Sequence, residues 1–123
     1  MQHNPVRWFE IYVQDMDRAK KFYESVFQTK LEKLDTHEFE MWSFPMDKTT
    51  MGCGGSLVKM PGFQSGGKST IVYFACADCS VEEALAAKNG GSIQKNKVSI
   101  GQYGYISLVL DTEGNIIGLH SLE

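Results

Sequence analysis

Long apolar runs, paired cysteines and an excess of positive charge are all scarce in this 123-residue chain, and each scarcity closes off a class of protein. No stretch approaches the roughly 18 continuous apolar residues that cross a bilayer, so no membrane partner is expected. The first residues carry His3, Asn4, Pro5 and Arg7 where a signal peptide has its apolar core, which makes a cytoplasmic protein the expectation. Three cysteines, an odd number in so short a chain, suit a reducing compartment better than a disulfide framework. Free thiols are expected. With 12 Lys and Arg against 15 Asp and Glu, a net charge of −3 and lysines scattered among acids, the chain lacks the basic cluster that holds phosphates, which argues against nucleic acid.

What is present is an ordinary core composition, 42% hydrophobic, and a sequence that nearly repeats itself. Val13-Gln14-Asp15 ends a strand and enters a helix, and Cys76-Ala77-Asp78 does the same, 63 positions later. The same offset sets Phe9, Ile11 and Val13 on Val72, Phe74 and Cys76. Two independent domains of about 60 residues would each be marginal, so the repeat reads as two modules of one fold that bury their sheet faces together over a shared cavity.

In the first module, covering 6–60, Phe9, Ile11 and Val13 alternate with Trp8, Glu10 and Tyr12, which predicts a strand with one apolar and one amphipathic face. Residues 17–27 place Ala19, Phe22, Tyr23, Val26 and Phe27 at helical spacing, with Asp15 or Asp17 as the cap, over the Phe9 face. Residues 30–35 and 38–44 read as a hairpin around Thr36-His37, and 52–60 as a fourth strand weakened by glycines. A Gly- and Ser-rich linker, 61–68, leads to the second module, 69–122: a strand at 70–76, a helix from Ser80 with Ser80 to Glu83 spaced as a capping box and Gly90-Gly91 as its stop, then strands at 92–98, 103–110 and 115–122. Asp111 to Asn115 is the turn between the last two. The fold class is α+β: two βαβββ modules forming a curled mixed sheet around a cavity, with one helix per module outside. A homodimer is expected, because an open aromatic-rich sheet tends to be completed by a partner.

Trp8 to Asp15 with Phe22-Tyr23, Val72-Tyr73-Phe74, and Asp111-Thr112-Glu113-Gly114-Asn115 through His120 together resemble the vicinal oxygen chelate superfamily of glyoxalases, bleomycin-resistance proteins and extradiol dioxygenases. The resemblance implies the paired-module fold and a small-molecule ligand, but this fold hosts lyases, epimerases, dioxygenases and pure binders. It also implies that metal-dependent members draw His and Glu ligands from the first and last strand of each module. Here those positions fall on Trp8, Ile71, Gly118 and Gly55, none of which binds a metal. No cofactor is therefore expected, the alternative being a displaced divalent ion held by Glu10 and His120.

Two residues along each strand, on the same face, the equivalent layer is Glu10, Leu57, Tyr73 and His120. Glycines 52, 54 and 55 make the register at Leu57 its weak point. Glu10 is either a solvated carboxylate or a desolvated one able to move a proton. The expectation is a lyase or isomerase acting next to a carbonyl, with Glu10 as base, His120 as acid or polarising group, and Trp8, Tyr12, Tyr73 and Tyr105 against the ligand. The alternative is a sequestering protein without turnover, in which the aromatics stack on the ligand and Glu10 answers a cation.

Two motifs point elsewhere. Gly62 to Ser69 has Walker A spacing but precedes a strand pattern where a phosphate loop opens a helix. Cys76-Ala77-Asp78-Cys79 sits where a redox pair would, yet Cys76 matches Val13 and Cys79 matches Met16 in the repeat, so both read as core residues. His3 and His37 read as exposed, and Met41, Trp42, Phe44 and Met46 mostly as core.

Overall fold

The computed structural model describes residues 3–123 and divides into two compact units, one formed by Trp8–Thr70 and the other by residues 3–7 with Ile71–Glu123. The first carries β1 (Val6–Tyr12, whose first two residues belong to the other unit), α1 (Met16–Phe27), β2 (Glu32–Lys33), β3 (Glu40–Ser43) and β4 (Gly54–Lys59). The second carries β5 (Thr70–Ala75, entered from the first unit), α2 (Cys79–Lys88), β6 (Ser92–Ser99), a 3-10 turn (Gly101–Tyr103), β7 (Tyr105–Leu110) and β8 (Ile116–Ser121). Each is a βαβββ module with a mixed sheet, ordered β2-β3-β4-β1 in one and β6-β7-β8-β5 in the other. In both, the first and last strands run parallel and the remaining neighbours antiparallel. Among the described residues, no helix is long and apolar enough to cross a membrane.

The repeat is clearest where each helix begins. Asp15 caps α1 by accepting from Arg18 N, and Asp78 caps α2 by accepting from Ser80 N, so the short carboxylates satisfy amide donors that the first turn leaves open. The next residue of each, Met16 and Cys79, is buried. The capping box expected at Ser80 is not formed: Asp78 is the cap and also accepts from Ser80 Oγ, while Glu83 is buried and accepts from Lys97 N.

Lys97 also donates to Asp78 at 2.9 Å, and this contact together with the cap bonds holds the Asp78 carboxyl well below its ordinary 3.8, at about 2. A lowered carboxyl contributes stability that is present above its ordinary value and lost as the pH falls from about 4 toward 2. Asp78→Asn, which keeps a capping side chain, is expected to flatten the acid limb of a Tm-against-pH curve between pH 4 and 2. An unchanged limb would show the ion pair to be idle.

In the first unit, Val13, Met16, Leu31 and Leu57 form the core, with Ile11, Ala19, Tyr23, Trp42 and Phe44 packed around them. Lys20 Nζ lies 3.2 Å from the centre of the Trp42 ring. Met16, Ala19 and Tyr23 form one stripe of α1, so Phe22, Val26 and Phe27, expected in the core, turn outward at 59%, 55% and 64% exposure. In the second unit the core is Cys79, Val109 and Leu119, with Phe74, Cys76, Ala86, Tyr105 and Ile117 around it.

The expected strands are present, most of them shorter, while β1 is shifted by one residue and β6 runs one residue further, to Ser99. The 30–35 segment keeps only Glu32–Lys33 as β2; before it Leu31 N donates to Glu24 Oε2 of α1, and after it Leu34 N still donates to the Met41 carbonyl of β3. The Asp111 to Asn115 turn forms as expected, its carboxylate accepting from Glu113 N, Asn115 N and Asn115 Nδ2. Gly62 to Ser69 leads directly into β5, so the Walker-like spacing has no helix on which to hold phosphate.

Candidate functional site

Parity along β1 divides its side chains between two faces. Ile11 belongs to the core under α1, so Trp8, Glu10 and Tyr12 share the opposite face. The register with β4 pairs Trp8 with Gly54, Glu10 with Ser56, Ile11 with Leu57 and Tyr12 with Val58. This corrects the expected layer by one residue: Leu57 lies with Ile11 beneath α1, and Ser56 is the neighbour of Glu10. Likewise Gly54, not Gly55, is the partner of Trp8.

Glu10 is 7% exposed and its Oε1 accepts from Tyr12 Oη at 2.8 Å. The Tyr12 ring stacks on Phe63 with centroids 5.0 Å apart, so the phenol is held on both its ring and its hydroxyl. Phe63 also lines an open hollow of about 780 Å³ bordered by Gln14, Lys33, His37, Glu40 and Lys59. Ser56 is fully buried, and its hydroxyl has no hydrogen-bond partner among the described residues. Sequence reasoning missed Ser56, because a strand buried on both faces shows no polar alternation from which parity can be counted.

In the second unit, Tyr73 pairs with Gly118 and Ala75 with His120. Tyr73 is 5% exposed and its ring covers Gly118 closely: a Cβ at 118 would stand 2.2 Å from Tyr73 Cδ1. His120 is half-buried. Its Nε2 lies 2.7 Å from the Tyr103 carbonyl, which can only accept, so Nε2 carries the proton. Nδ1 then accepts from Arg7 Nη1 at 2.9 Å. Both ring nitrogens are engaged, whereas an acid or polarising group needs one for its substrate. Tyr105, expected against the ligand, is on the other face from Tyr73: it packs in the core beneath α2, with Lys97 Nζ 4.7 Å from its ring centre. Its partner Ser121 accepts from Cys79 N, which fixes that parity.

A model of the Glyoxalase/Bleomycin resistance protein/Dioxygenase superfamily matches residues 6–119. The chain belongs to this superfamily. Similar solved structures include a methylmalonyl-CoA epimerase variant from Streptomyces coelicolor in complex with 2-nitronate-propionyl-CoA, 12% identical over 96% of both chains with a TM-score of 0.67. The Mycobacterium tuberculosis methylmalonyl-CoA epimerase is 12% identical over 97% of this chain and 88% of its own, with a TM-score of 0.69. A hypothetical protein of Bacillus halodurans is 10% identical over 96% of this chain and 94% of its own, with a TM-score of 0.72. At these identities the likeness establishes the fold. No curated protein matches the sequence.

Metal-dependent members of the superfamily need donors that this chain replaces. Trp8 and Ile71 offer none, Gly54 and Gly118 have no side chain, and the space for a Cβ at 54 is already taken by Met46 Sδ at 2.6 Å and the Trp8 ring at 3.0 Å. Tyr73 fills the equivalent space at 118. Among the described residues, no three His, Cys, Asp or Glu side chains come together. The residues present do not fit a divalent ion at these positions.

The Cys-x-x-Cys pair is equally unsuited to redox work. Cys79 is fully buried, and burial, with the Glu82 charge adding to it, pushes the Cys76 thiol up to about 11. All three thiols are free, with Cys53 exposed. Iodoacetamide at pH 7.5 is expected to label Cys53 and to reach Cys76 and Cys79 only on unfolding, as peptide mass spectrometry would show. Early labelling of Cys76 would contradict this.

Proposed function

We propose that this protein transfers a proton at a carbon next to the carbonyl of a small molecule, with Glu10 as the base and without a metal ion. The observation that carries the reading is the Glu10 carboxyl, withdrawn from water, gripped by the Tyr12 hydroxyl and facing away from α1. A base in that setting is aimed by its neighbours and loses little to reorganisation. The superfamily and the epimerase neighbours support the reaction type, since epimerisation beside a carbonyl is itself a proton transfer.

The test is deuterium incorporation followed by proton NMR in D2O, with methylmalonyl-CoA, the compound named for the relatives, and 2-methylacetoacetate as first probes. Exchange well above the uncatalysed rate for a member of such a panel supports the reading. The half-buried Trp8, lying across Gly54, favours a second reading in which an aromatic surface holds a ligand without turnover. Calorimetric binding of probes that show no exchange would establish that reading in place of the first.

A further inference from the structure

Among the described residues three serines are fully buried: Ser56, Ser107 and Ser121. Two of them have evident structural duties. Ser107 Oγ donates to the Lys95 carbonyl at 3.0 Å. Ser121 Oγ donates to the Glu123 carbonyl at 2.8 Å and accepts from Cys79 N at 3.1 Å. The hydroxyl of Ser56 has no partner among the described residues.

A buried hydroxyl without a partner costs stability, and alanine would fill the same position without that cost. The position beside it explains the choice. Ser56 is the in-register neighbour of Glu10 across the parallel β1/β4 pair, and paired residues of adjacent strands project from one face about 4.8 Å apart. A donor with nothing to donate to thus stands next to the buried carboxyl, in a unit whose metal positions, Trp8 and Gly54, offer no ligand.

We propose that Ser56 is a catalytic residue that hydrogen-bonds the oxyanion of the substrate, replacing a metal ion as the group that stabilises it. This rests on the proton-transfer reading and assigns its substrate class: carbon acids whose carbonyl oxygen reaches Ser56 while the acidic hydrogen faces Glu10. In the step, the Glu10 carboxylate forms a bond to that hydrogen and the carbon–hydrogen bond breaks. Its electron pair becomes the carbon–carbon double bond of the enolate, and the carbonyl π pair moves onto oxygen, where Ser56 Oγ–H donates. The reverse step returns a proton from the Glu10 carboxylic acid to carbon.

The test measures Ser56→Ala beside Ser107→Ala and Ser121→Ala, with Ser56→Cys as an isosteric variant carrying a weaker donor. For Ser56→Ala, kcat for deuterium exchange is expected to fall about 10²- to 10³-fold with KM little changed, the effect of losing one oxyanion donor. Ser56→Cys is expected to lie between it and the parent. Affinity for propane-2-nitronate, a planar oxyanion, should fall in Ser56→Ala, while Tm holds or rises by a few degrees and falls in the other two alanine variants. Unchanged exchange in Ser56→Ala, with the parent active, overturns the role of Ser56 and leaves Glu10 as the base. A parent that neither exchanges the probes nor binds the nitronate overturns both.

Discussion

Glu10→Gln is expected to lower the rate of carbon-acid exchange by about 10³-fold, the middle of the range attributed to a positioned general base. Glutamine has nearly the same shape, and its amide oxygen can still accept from the Tyr12 hydroxyl that holds Glu10 at 2.8 Å. The fold should therefore survive, with Tm within a few degrees of the parent and the binding of a neutral ligand retained. What is lost is the lone pair that takes the proton. Glu10→Asp separates basicity from position: it keeps the carboxylate but withdraws it by about 1 Å or more, a displacement that can cost on the order of 10²-fold. Exchange at the parent rate in Glu10→Gln would remove Glu10 from the chemistry. Loss of binding in a variant that never showed turnover would instead assign Glu10 to answering a cationic ligand.

Leu57→Ala is expected to cost about 3 kcal/mol and to lower Tm by about 10 °C, with little effect on kcat in the molecules that remain folded. Leu57 is fully buried and packs with Val13, Met16 and Leu31 under α1, so removing three carbons leaves a void that strands and helix can close only partly. The register gives this variant a second use. Had Leu57 faced the Glu10 side, the same truncation would have opened the binding surface and changed KM or substrate preference first. A fall in Tm at constant KM separates the two arrangements, and a stable variant with altered KM would contradict the β1/β4 pairing.

Much of the architecture is legible in the chain because two signals are strong and local. The period-two alternation of β1 fixes its faces, and the matched Asp15 and Asp78 caps mark both helix starts and expose the repeat. Both depend on neighbours only a few residues away, and both are present in the fold. Legibility ends where the pattern loses contrast. β4 is buried on both faces and begins Gly54-Gly55-Ser56, so nothing in its composition separates one face from the other. Parity counted across those glycines sets Leu57 beside Glu10, where the register has Ser56. The ring of Phe9 explains why small residues stand there: a Cβ at Gly55 would lie 2.3 Å from it.

Tyr105 lies on the other face than its sequence suggests for a related reason. Its strand reads as apolar at nearly every position, and its parity is set only by pairing with β8, where Ser121 opposes it beneath α2. His120 lies on β8, as the local pattern predicts, but its engagement by Arg7 and the Tyr103 carbonyl depends on residues 113 and 17 positions away, beyond any local pattern. Periodicity alone places Phe22, Val26 and Phe27 on the core side of α1. An apolar arc wider than the surface it covers leaves its margin in water, and these three form that margin.

The most direct measurement is a crystal structure of the protein soaked with propane-2-nitronate, the planar anion that mimics the enolate of the proposed step. The expected result is the nitronate carbon within about 3.5 Å of the Glu10 carboxylate and one nitronate oxygen within about 3 Å of Ser56 Oγ. A nitronate bound away from Glu10, or a Ser56 hydroxyl committed to a protein acceptor in the complex, would contradict it.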